Sequence, residues 1–132
     1  RALCNLAGKV VVDATNPLTA KLELALGFTD SAGETVARLA SGAKVVKAFN
    51  TTGANNMANT KYAGGKIMMP VAGDDAEAKK VVMGLASDLG FEPVDAGPLA
   101  MSRHLEPMAM VWIKLAYAQG LGREFAFAIL KR

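Results

Sequence analysis

Small polar side chains follow two of the apolar runs in this 132-residue chain, at the points where each run ends. Because amide and hydroxyl groups both donate and accept hydrogen bonds, such a set can bind a polar ligand, and an aromatic ring adds a flat apolar wall. The alternative is that Asn16 and Asn50 only shape turns. The candidate binding residues are Thr15, Asn16 and Pro17 after the first run and Phe49, Asn50 and Thr51 at the end of the second.

A further group of candidates follows the apolar run that ends at Ala96. Gly97, Pro98 and Leu99 would border a second ligand, since a glycine lets a flat ring approach the backbone. A plain strand-to-helix turn has the same composition. Arg103, at the start of the next predicted helix, is a candidate for binding an anionic group of that ligand, and its alternative is a solvated arginine.

Three ionisable residues have more than one interpretation. Lys47 lies inside a predicted strand, where it reaches solvent, pairs with a carboxylate or acts as a catalytic lysine. Glu106, directly before Pro107, is more typical of a helix cap than of a proton-transfer group. His104 is the single histidine, and no recognisable motif joins it to a carboxylate and a nucleophile. We therefore assign no catalytic residue.

Composition argues against several kinds of site. The net charge is +3, from 15 Lys and Arg against 12 Asp and Glu, and the charges are scattered, which disfavours binding to nucleic acid or to a membrane surface. The single cysteine, Cys4, reads as a small buried apolar residue, and a reducing, cytoplasmic setting is expected. Asp74 and Asp75 fit helix capping better than a metal site, and no apolar run is long enough to span a bilayer.

Apolar patterning predicts the elements that position these candidates. Runs rich in valine are typical of buried parallel strands, and apolar residues spaced three or four apart after a capping residue are typical of amphipathic helices. Strands are predicted at Lys9–Asp13, Lys44–Phe49, Ile67–Ala72 and Phe91–Ala96. Helices are predicted at Ser31–Gly42, capped by Ser31 and Glu34, at Asp74–Gly90 and at Ser102–Gln119, with the end of an earlier helix at Arg1–Leu6.

The order of these elements predicts one α/β domain, a sandwich of three layers with a mostly parallel sheet. In such a sheet the carboxyl ends of the strands border the ligand crevice, so we expect Asn16 and Asn50 at a shared edge, with Gly97 on the same side. Pro70 predicts that its strand lies at a sheet edge or contains a bulge. Two segments stay open: Leu18–Thr29 is a short helix or a loop, and Phe125–Ile129 is a strand or a helix.

Five segments, taken in order, resemble the NADP oxidoreductase family that includes the coenzyme F-420 (deazaflavin)-dependent NADP reductases. The cytosolic domain of the six-transmembrane epithelial ferrireductases is similar. The segments are KVVVDATNP (9–17), KVVKAFNTT (44–52), VAGDD (71–75), LGFEPVDAGPL (89–99) and LEPMAMVW (105–112). They match the carboxyl-terminal two-thirds of the family's Rossmann domain, and their common order is far more specific than any one of them.

The resemblance implies that residues 1–132 are the carboxyl-terminal portion of an NAD(P)-binding Rossmann domain. A hydride would pass directly between the nicotinamide of NADP and a deazaflavin or flavin-like acceptor. The segments Thr15–Pro17 and Phe49–Thr51 would face the nicotinamide and its ribose. Direct hydride transfer needs no acid or base from the protein, in agreement with the lack of a recognisable catalytic set.

The resemblance also implies an earlier strand and a G-x-G-x-x-G turn that this sequence does not contain, so the chain reads as a fragment with weak cofactor affinity. Gly120–Phe125 lacks the third glycine and is expected to be a helix stop. Two alternatives stay open. One is a packing or oligomerisation segment, such as a homodimer formed at the unpaired edge of the Lys9–Asp13 strand. The other is a relative of the hydroxyacid dehydrogenases that uses Lys47.

Overall fold

A four-stranded sheet lies between helices in this computed structural model, which describes residues 5–132. The elements are, in chain order, β1 (Val10–Asp13), α1 (Ala32–Leu39), β2 (Lys44–Lys47), α2 (Asn55–Ala58), β3 (Lys61–Tyr62), β4 (Gly65–Lys66), β5 (Met68–Gly73), α3 (Ala76–Asp88), β6 (Glu92–Gly97) and α4 (Ser102–Ile113). A 3-10 turn over Leu99–Met101 precedes α4, and a π-helical turn over Lys114–Ala118 continues it. Cys4 and most of the helix end expected at 1–6 lie outside the described residues.

The strands of the main sheet are ordered β1-β2-β5-β6. β1 and β2 are parallel, β5 and β6 are parallel, and β2 and β5 are antiparallel. The predicted α/β class and the mostly parallel sheet are therefore confirmed. Because β2 and β5 are antiparallel, the carboxyl ends of β1 and β2 lie along one end of the strands, and the carboxyl ends of β5 and β6 lie along the opposite end.

Helices cover both faces of the sheet, as a Rossmann-like layered fold requires. Val46 of β2 belongs to the core cluster that includes Ala78 and Val82 of α3. The next residue, Lys47, points to the other face, where it contacts Glu106 of α4. The sheet thus separates α3 on one side from α4 and α1 on the other.

Pro70 lies in a strand that pairs on both sides, so the expected edge position is wrong, whereas the alternative of a bulge agrees with the shift of register against β6 between Val71 and Ala72. β5 runs between β2 and β6, but its contact with β2 is confined to the end near Ala72 and Gly73. The first half of β5 instead meets the chain's tail, where the Met68 amide donates to the Phe127 carbonyl at 2.9 Å. Pro70 is tolerated because its nitrogen falls in this half, and the register against β6 shifts one residue later.

Helix caps follow the local sequence. The Ser31 hydroxyl accepts a hydrogen bond from the Glu34 amide at 3.1 Å, which confirms Ser31 as the predicted cap of α1. The reciprocal half of the capping box differs, because the Glu34 carboxylate accepts from the Ser31 hydroxyl at 2.6 Å while the Ser31 amide donates to Asp30. The cap of α3 is Asp75, which accepts from the Ala78 amide at 2.8 Å. Asp74, expected to be that cap, accepts from the Leu99 amide at 2.9 Å instead.

Apolar residues recur every three or four positions along α3, as predicted for an amphipathic helix, but only half of them are buried. Ala78, Val82 and Ala86 face the sheet, whereas Val81 is 62% and Leu85 is 46% exposed. On the opposite flank of α3, Lys79 pairs with Asp95 of β6. The exposed pair therefore points toward the β1 side of the sheet.

β1, the outermost strand that the structure describes, lies on the same side of the sheet as these exposed residues of α3 and is also open to solvent. Val10 and Val12 of β1 are 40% and 39% exposed. In the part of the chain that the structure describes, β1 pairs with β2 alone, as expected from the sequence.

The segments left open by the sequence are irregular. Leu18–Thr29 is a loop with a single bridge between Leu18 and Leu24. Phe125–Ile129 forms neither strand nor helix, but it is anchored by hydrogen bonds from Met68 and from the Trp112 indole, which donates to the Phe125 carbonyl at 2.9 Å.

Candidate functional site

The ends of β1 and β2 are joined by a pair of side-chain amides, which we call the carboxamide edge (Asn16 and Asn50). Asn16 Nδ2 donates to the Asn50 carbonyl at 3.1 Å, and Asn50 Nδ2 donates to Asn16 Oδ1 at 3.1 Å. Asn50 Nδ2 also donates to the Leu105 carbonyl of α4 at 3.0 Å. The two residues therefore share one edge, as the parallel pairing of β1 and β2 predicts.

One polar atom of the carboxamide edge is left without a partner. Asn50 is 4% exposed, and its Oδ1 is buried without a hydrogen bond. The Leu105 carbonyl can only accept, so the Asn50 nitrogen must face it and the oxygen must point away. A buried acceptor without a donor costs about 1–3 kcal/mol, which a ligand N–H or O–H would offset.

A cleft of about 360 Å³ opens beside the carboxamide edge. Its lining combines two amides and a hydroxyl with small and apolar groups: Ala14, Asn16, Phe49, Asn50, Thr52, Ala54 and Met57. Sequence analysis named three of these residues. Thr52, Ala54 and Met57 follow Asn50 directly into the short helix α2, so extending the candidate segment by one helical turn would have found them.

The other candidates at this edge lie beside the cleft and do not line it. Thr15 is exposed and Pro17 is half-buried. Thr51 is 2% exposed and therefore lies in the interior. Their expected role in binding stays a prediction.

The backbone at Phe49 is strained. Its φ of +62° lies in the left-handed region, which a bulky side chain rarely adopts. The Phe49 amide faces Met69 Sδ at 3.1 Å, and its ring meets the Phe91 ring edge-on with centroids 6.1 Å apart. Packing against the core therefore holds Phe49 in this conformation, and such strain tends to occur where a binding site fixes the chain.

A buried ion cluster (Asp13, Lys47 and Glu106) lies beneath the carboxamide edge. Lys47 Nζ contacts Asp13 Oδ2 at 2.9 Å and Glu106 Oε1 at 2.7 Å, and the three side chains are 0–1% exposed. Lys47 also donates to the Thr15 carbonyl. Pairing of Lys47 with a carboxylate is thus confirmed, and its expected alternative of reaching solvent is wrong.

Glu106 caps a helix, but not its own. Its carboxylate accepts from the Ala32 and Gly33 amides, each at 3.1 Å, at the amino end of α1. The sequence signal for this role was weak, because Glu106 and α1 are more than seventy residues apart. His104, on the same helix, is exposed.

The structure does not bring the second group of candidates to the carboxamide edge. Gly97 of β6 pairs with Ala72 of β5, and Ala72 pairs in turn with Lys47 of β2. β6 runs in the opposite direction to β2. The chain after Gly97 therefore leads away from Asn50, and the expected position on the same side is wrong. Pro98 is exposed and Leu99 is 5% exposed. Substrate binding by Gly97, Pro98 and Leu99 stays a prediction.

Arg103 is engaged in an ion pair. It donates to the two Glu34 carboxylate oxygens at 2.9 and 2.6 Å, across α4 and α1. This bond from Arg103 is the main reason that the pKa of Glu34 lies below its usual value. A ligand anion at Arg103 would have to compete with Glu34.

Residues 5–132 contain neither a metal-ion cluster nor a membrane-spanning helix. Among residues 5–132, no group of three or more His, Cys, Asp and Glu side chains could hold a metal ion. No helix described there combines the length and the apolar character needed to cross a bilayer.

Comparison with known proteins gives related chains but no matching family model. A solved structure from Arthrobacter sp. FB24, provisionally assigned as an F-420-dependent NADP reductase, has a TM-score of 0.86 and 39% identity, covering 96% of this chain and 59% of that one. A hypothetical protein from Sinorhizobium meliloti has a TM-score of 0.68 and 37% identity, covering 76% of this chain and 50% of that one.

A curated relative comes from a different group of proteins. The metalloreductase STEAP3 of Rattus norvegicus is 34% identical over 113 residues, which are 83% of this chain and 22% of STEAP3. This chain therefore spans about a fifth of that relative. The resemblance to the F-420-dependent NADP reductases and to the ferrireductases is confirmed, and this chain is similar to parts of such oxidoreductases over a Rossmann-like α/β fold.

Proposed function

We propose that this chain forms the nicotinamide-binding part of an NADP-dependent oxidoreductase. The observation that carries the proposal is the buried, unpartnered Asn50 Oδ1 beside an open cleft. The similarity to a protein assigned as an F-420-dependent NADP reductase supports a dinucleotide as the ligand and a deazaflavin or flavin as the acceptor.

The cleft suits one half of a dinucleotide. Small-molecule pockets commonly measure about 300–1,000 Å³, so the cleft of about 360 Å³ can take a nicotinamide and its ribose, not a whole NADP molecule. Apolar walls with a few fixed polar groups are typical of such pockets. Bound NADP would supply or accept a hydride here.

Each residue of the site has a proposed part in binding. Asn50 Oδ1 would accept a hydrogen bond from the carboxamide or a ribose hydroxyl, and the Thr52 hydroxyl would add a second contact. Asn16 would hold Asn50 in place through their shared hydrogen bonds. Phe49 and Met57 would exclude water from the ring, which direct hydride transfer requires. The proposed part of Thr15, Pro17 and Thr51, which do not line the cleft, is to hold these side chains in position.

A titration tests the cofactor proposal. We expect NADPH, added at up to millimolar concentration to the ¹⁵N-labelled chain, to shift the side-chain amide signals of Asn50 and Asn16 in NMR spectra. Asn50→Ala should weaken this binding about tenfold or more, because a buried hydrogen bond is lost. Asn5→Ala, an exposed asparagine with only a local hydrogen bond, is the matched control. Unshifted Asn50 signals at saturating NADPH would contradict the proposal.

An activity assay tests the chemistry. We expect the longest form of the protein to oxidise NADPH in the presence of a deazaflavin or flavin acceptor. Absorbance measures the loss of NADPH with each acceptor of a panel. Lack of turnover with every acceptor would reject the hydride-transfer proposal but leave the binding result standing.

A second candidate function, self-association, is favoured by the open flank of the sheet. β1 pairs on one side alone among the described residues, and Val10, Val12, Val81 and Leu85 are exposed next to it. An unpaired strand edge is a template for pairing with another chain, including a second copy. By contrast, the use of Lys47 as a catalytic lysine is disfavoured, since its ammonium already has three acceptors inside the protein.

A further inference from the structure

The buried ion cluster needs an explanation beyond stability. Asp13, Lys47 and Glu106 form a group of one ammonium and two carboxylates with 0–1% exposure. Removing such charges from water is expensive, and apolar residues of the same volume often stabilise a fold as well or better. The residue that the cluster holds in place therefore indicates what the cluster does.

The residue that the cluster holds is Thr15. The Thr15 amide donates to Asp13 Oδ1 at 3.0 Å, and its hydroxyl donates to the same oxygen at 2.7 Å. The Thr15 carbonyl accepts from Lys47 Nζ. Thr15 is exposed, so hydrogen bonds rather than packing fix its position. The next residue is Asn16, which is bonded to Asn50 across the carboxamide edge.

The other end of the cluster is tied to two helices. Glu106 lies on α4 and binds the first amides of α1, where the positive end of the helix favours a carboxylate. Gly33 makes this approach feasible, because a Cβ at that position would lie 2.5 Å from Ser102 Oγ and 3.5 Å from Asp13 Oδ2. Thr15 is thus connected through Lys47 to the rigid layer formed by α1 and α4.

We propose that Asp13, Lys47 and Glu106 are positioning residues for the carboxamide edge. Asp13 binds the Thr15 amide and hydroxyl, Lys47 binds the Thr15 carbonyl, and Glu106 holds Lys47. The fixed position of Thr15 presents Asn16 to Asn50, so that Asn50 Oδ1 stays free for the ligand. The three residues of the cluster touch no ligand themselves. This inference rests on the proposed function only in taking the nicotinamide half of NADP as that ligand.

Amide hydrogen exchange in the chain without cofactor tests the inference. Glu106→Gln keeps the shape of the side chain but replaces the carboxylate that accepts from Lys47 and from the first amides of α1 with a neutral amide, so that one of the two charge-assisted contacts of Lys47 is weakened. We expect exchange at the Thr15 amide, which donates to Asp13, to accelerate about tenfold or more, the equivalent of one charge-assisted hydrogen bond, and the side-chain amide signals of Asn16 to shift. Exchange at Val82 in α3, which faces away from the cluster, should change much less. Equal acceleration at Thr15 and Val82 would indicate a merely structural role and overturn the proposal.

A second variant keeps the test decisive if Glu106→Gln does not fold. Thr15→Val changes an exposed residue and removes only the hydroxyl bond to Asp13. Exchange at the Thr15 amide should therefore rise by a smaller factor, and Thr15→Ser should restore the wild-type rate. Ser102→Ala is the control, since Ser102 lies in the same interior but its hydroxyl has no partner. Unchanged exchange and unchanged Asn16 side-chain signals in Thr15→Val would reject the proposal.

The cofactor measurement separates this inference from the proposed function. If wild-type chain binds NADPH, Glu106→Gln should weaken binding about tenfold or more, and both proposals gain support. If wild-type chain shows no affinity for NADPH but the variants loosen Thr15 selectively, the positioning role stands and the proposed function fails. Loosening without any loss of NADPH affinity would overturn the link between the cluster and the ligand.

Discussion

The two polar atoms of the Asn50 side chain are used differently. Its nitrogen is used twice, by Asn16 and by the Leu105 carbonyl, whereas its oxygen in the same buried side chain has no partner. Turn-shaping and ligand binding, which the sequence offered as alternatives for this residue, are therefore compatible. The nitrogen of one side-chain amide can join Asn16 and α4 while its oxygen remains able to accept a further hydrogen bond.

Gly53, three residues further on, provides a test of how tightly the cleft region packs. A Cβ at Gly53 would lie 2.4 Å from the Trp112 ring and 2.5 Å from Asn55 Oδ1. We expect Gly53→Ala to lower the free energy of unfolding by about 1–3 kcal/mol, the usual cost of overpacking. Chemical denaturation measures this change. Gly64→Ala is the control, since nothing lies within 4 Å of its Cβ position, and equal losses in both variants would contradict the packing argument.

Among the elements, those with local signals could be predicted. All four strands of the main sheet, the Ser31 cap of α1 and the existence of α3 follow from apolar spacing and cap residues, although only half of the apolar stripe of α3 is buried. The direction of β6 could not, because sequence order does not reveal that β2 and β5 pair antiparallel. For the same reason Gly97 was expected beside Asn50.

Tertiary contacts also override local composition in two elements. Pro70 is accepted inside β5 because the tail, not β2, lies along that half of the strand. Phe125–Ile129 alternates like a strand, yet it is held by single hydrogen bonds from Met68 and Trp112. Neither contact has a signal in the sequence near the residue concerned.

The amino end of α3 has a pH-dependent contribution to stability. The Ala78 amide, and secondarily Lys44, hold the pKa of Asp75 below its usual 3.8. Since the folded-state pKa is the lower one, this contribution is present above pH 3.8 and is lost as pH falls through the lowered value. Asp75→Asn should therefore reduce the loss of stability between pH 5 and pH 2, which urea midpoints at each pH measure.

The control for this pH dependence is at the other end of the same helix. Asp88 is an exposed carboxylate in the last turn of α3. Asp88→Asn should leave the acid-induced loss at least as large as in wild type. An equal reduction in the two variants would argue against the cap as its source.

At the scale of the whole molecule, the open flank beside β1 is the candidate surface for self-association. Val10, Val12, Val81 and Leu85 are apolar and exposed on one side of the sheet. We expect the isolated chain to self-associate as its concentration rises, and Val12→Lys to reduce this association, because a charge on an edge strand opposes pairing. Sedimentation velocity measures the change.

Val111 offers the matched control for that measurement. It is 53% exposed on α4, on the other face of the sheet. Val111→Lys should leave the association of the chain unchanged. A monomer at all concentrations, or equal effects of the two lysines, would contradict a role for the β1 flank.

The hydrogen bonds of Glu106 have a consequence for the order of events during synthesis. They join this carboxylate to Lys47, Ala32 and Gly33, which were made 59 to 74 residues earlier. Until α4 has left the ribosome, Lys47 and the start of α1 lack their shared partner, and long-range contacts of this kind form slowly. A nascent chain that ends before Glu106 would thus contain every residue of the cleft but lack the contacts that join β2 to the start of α1.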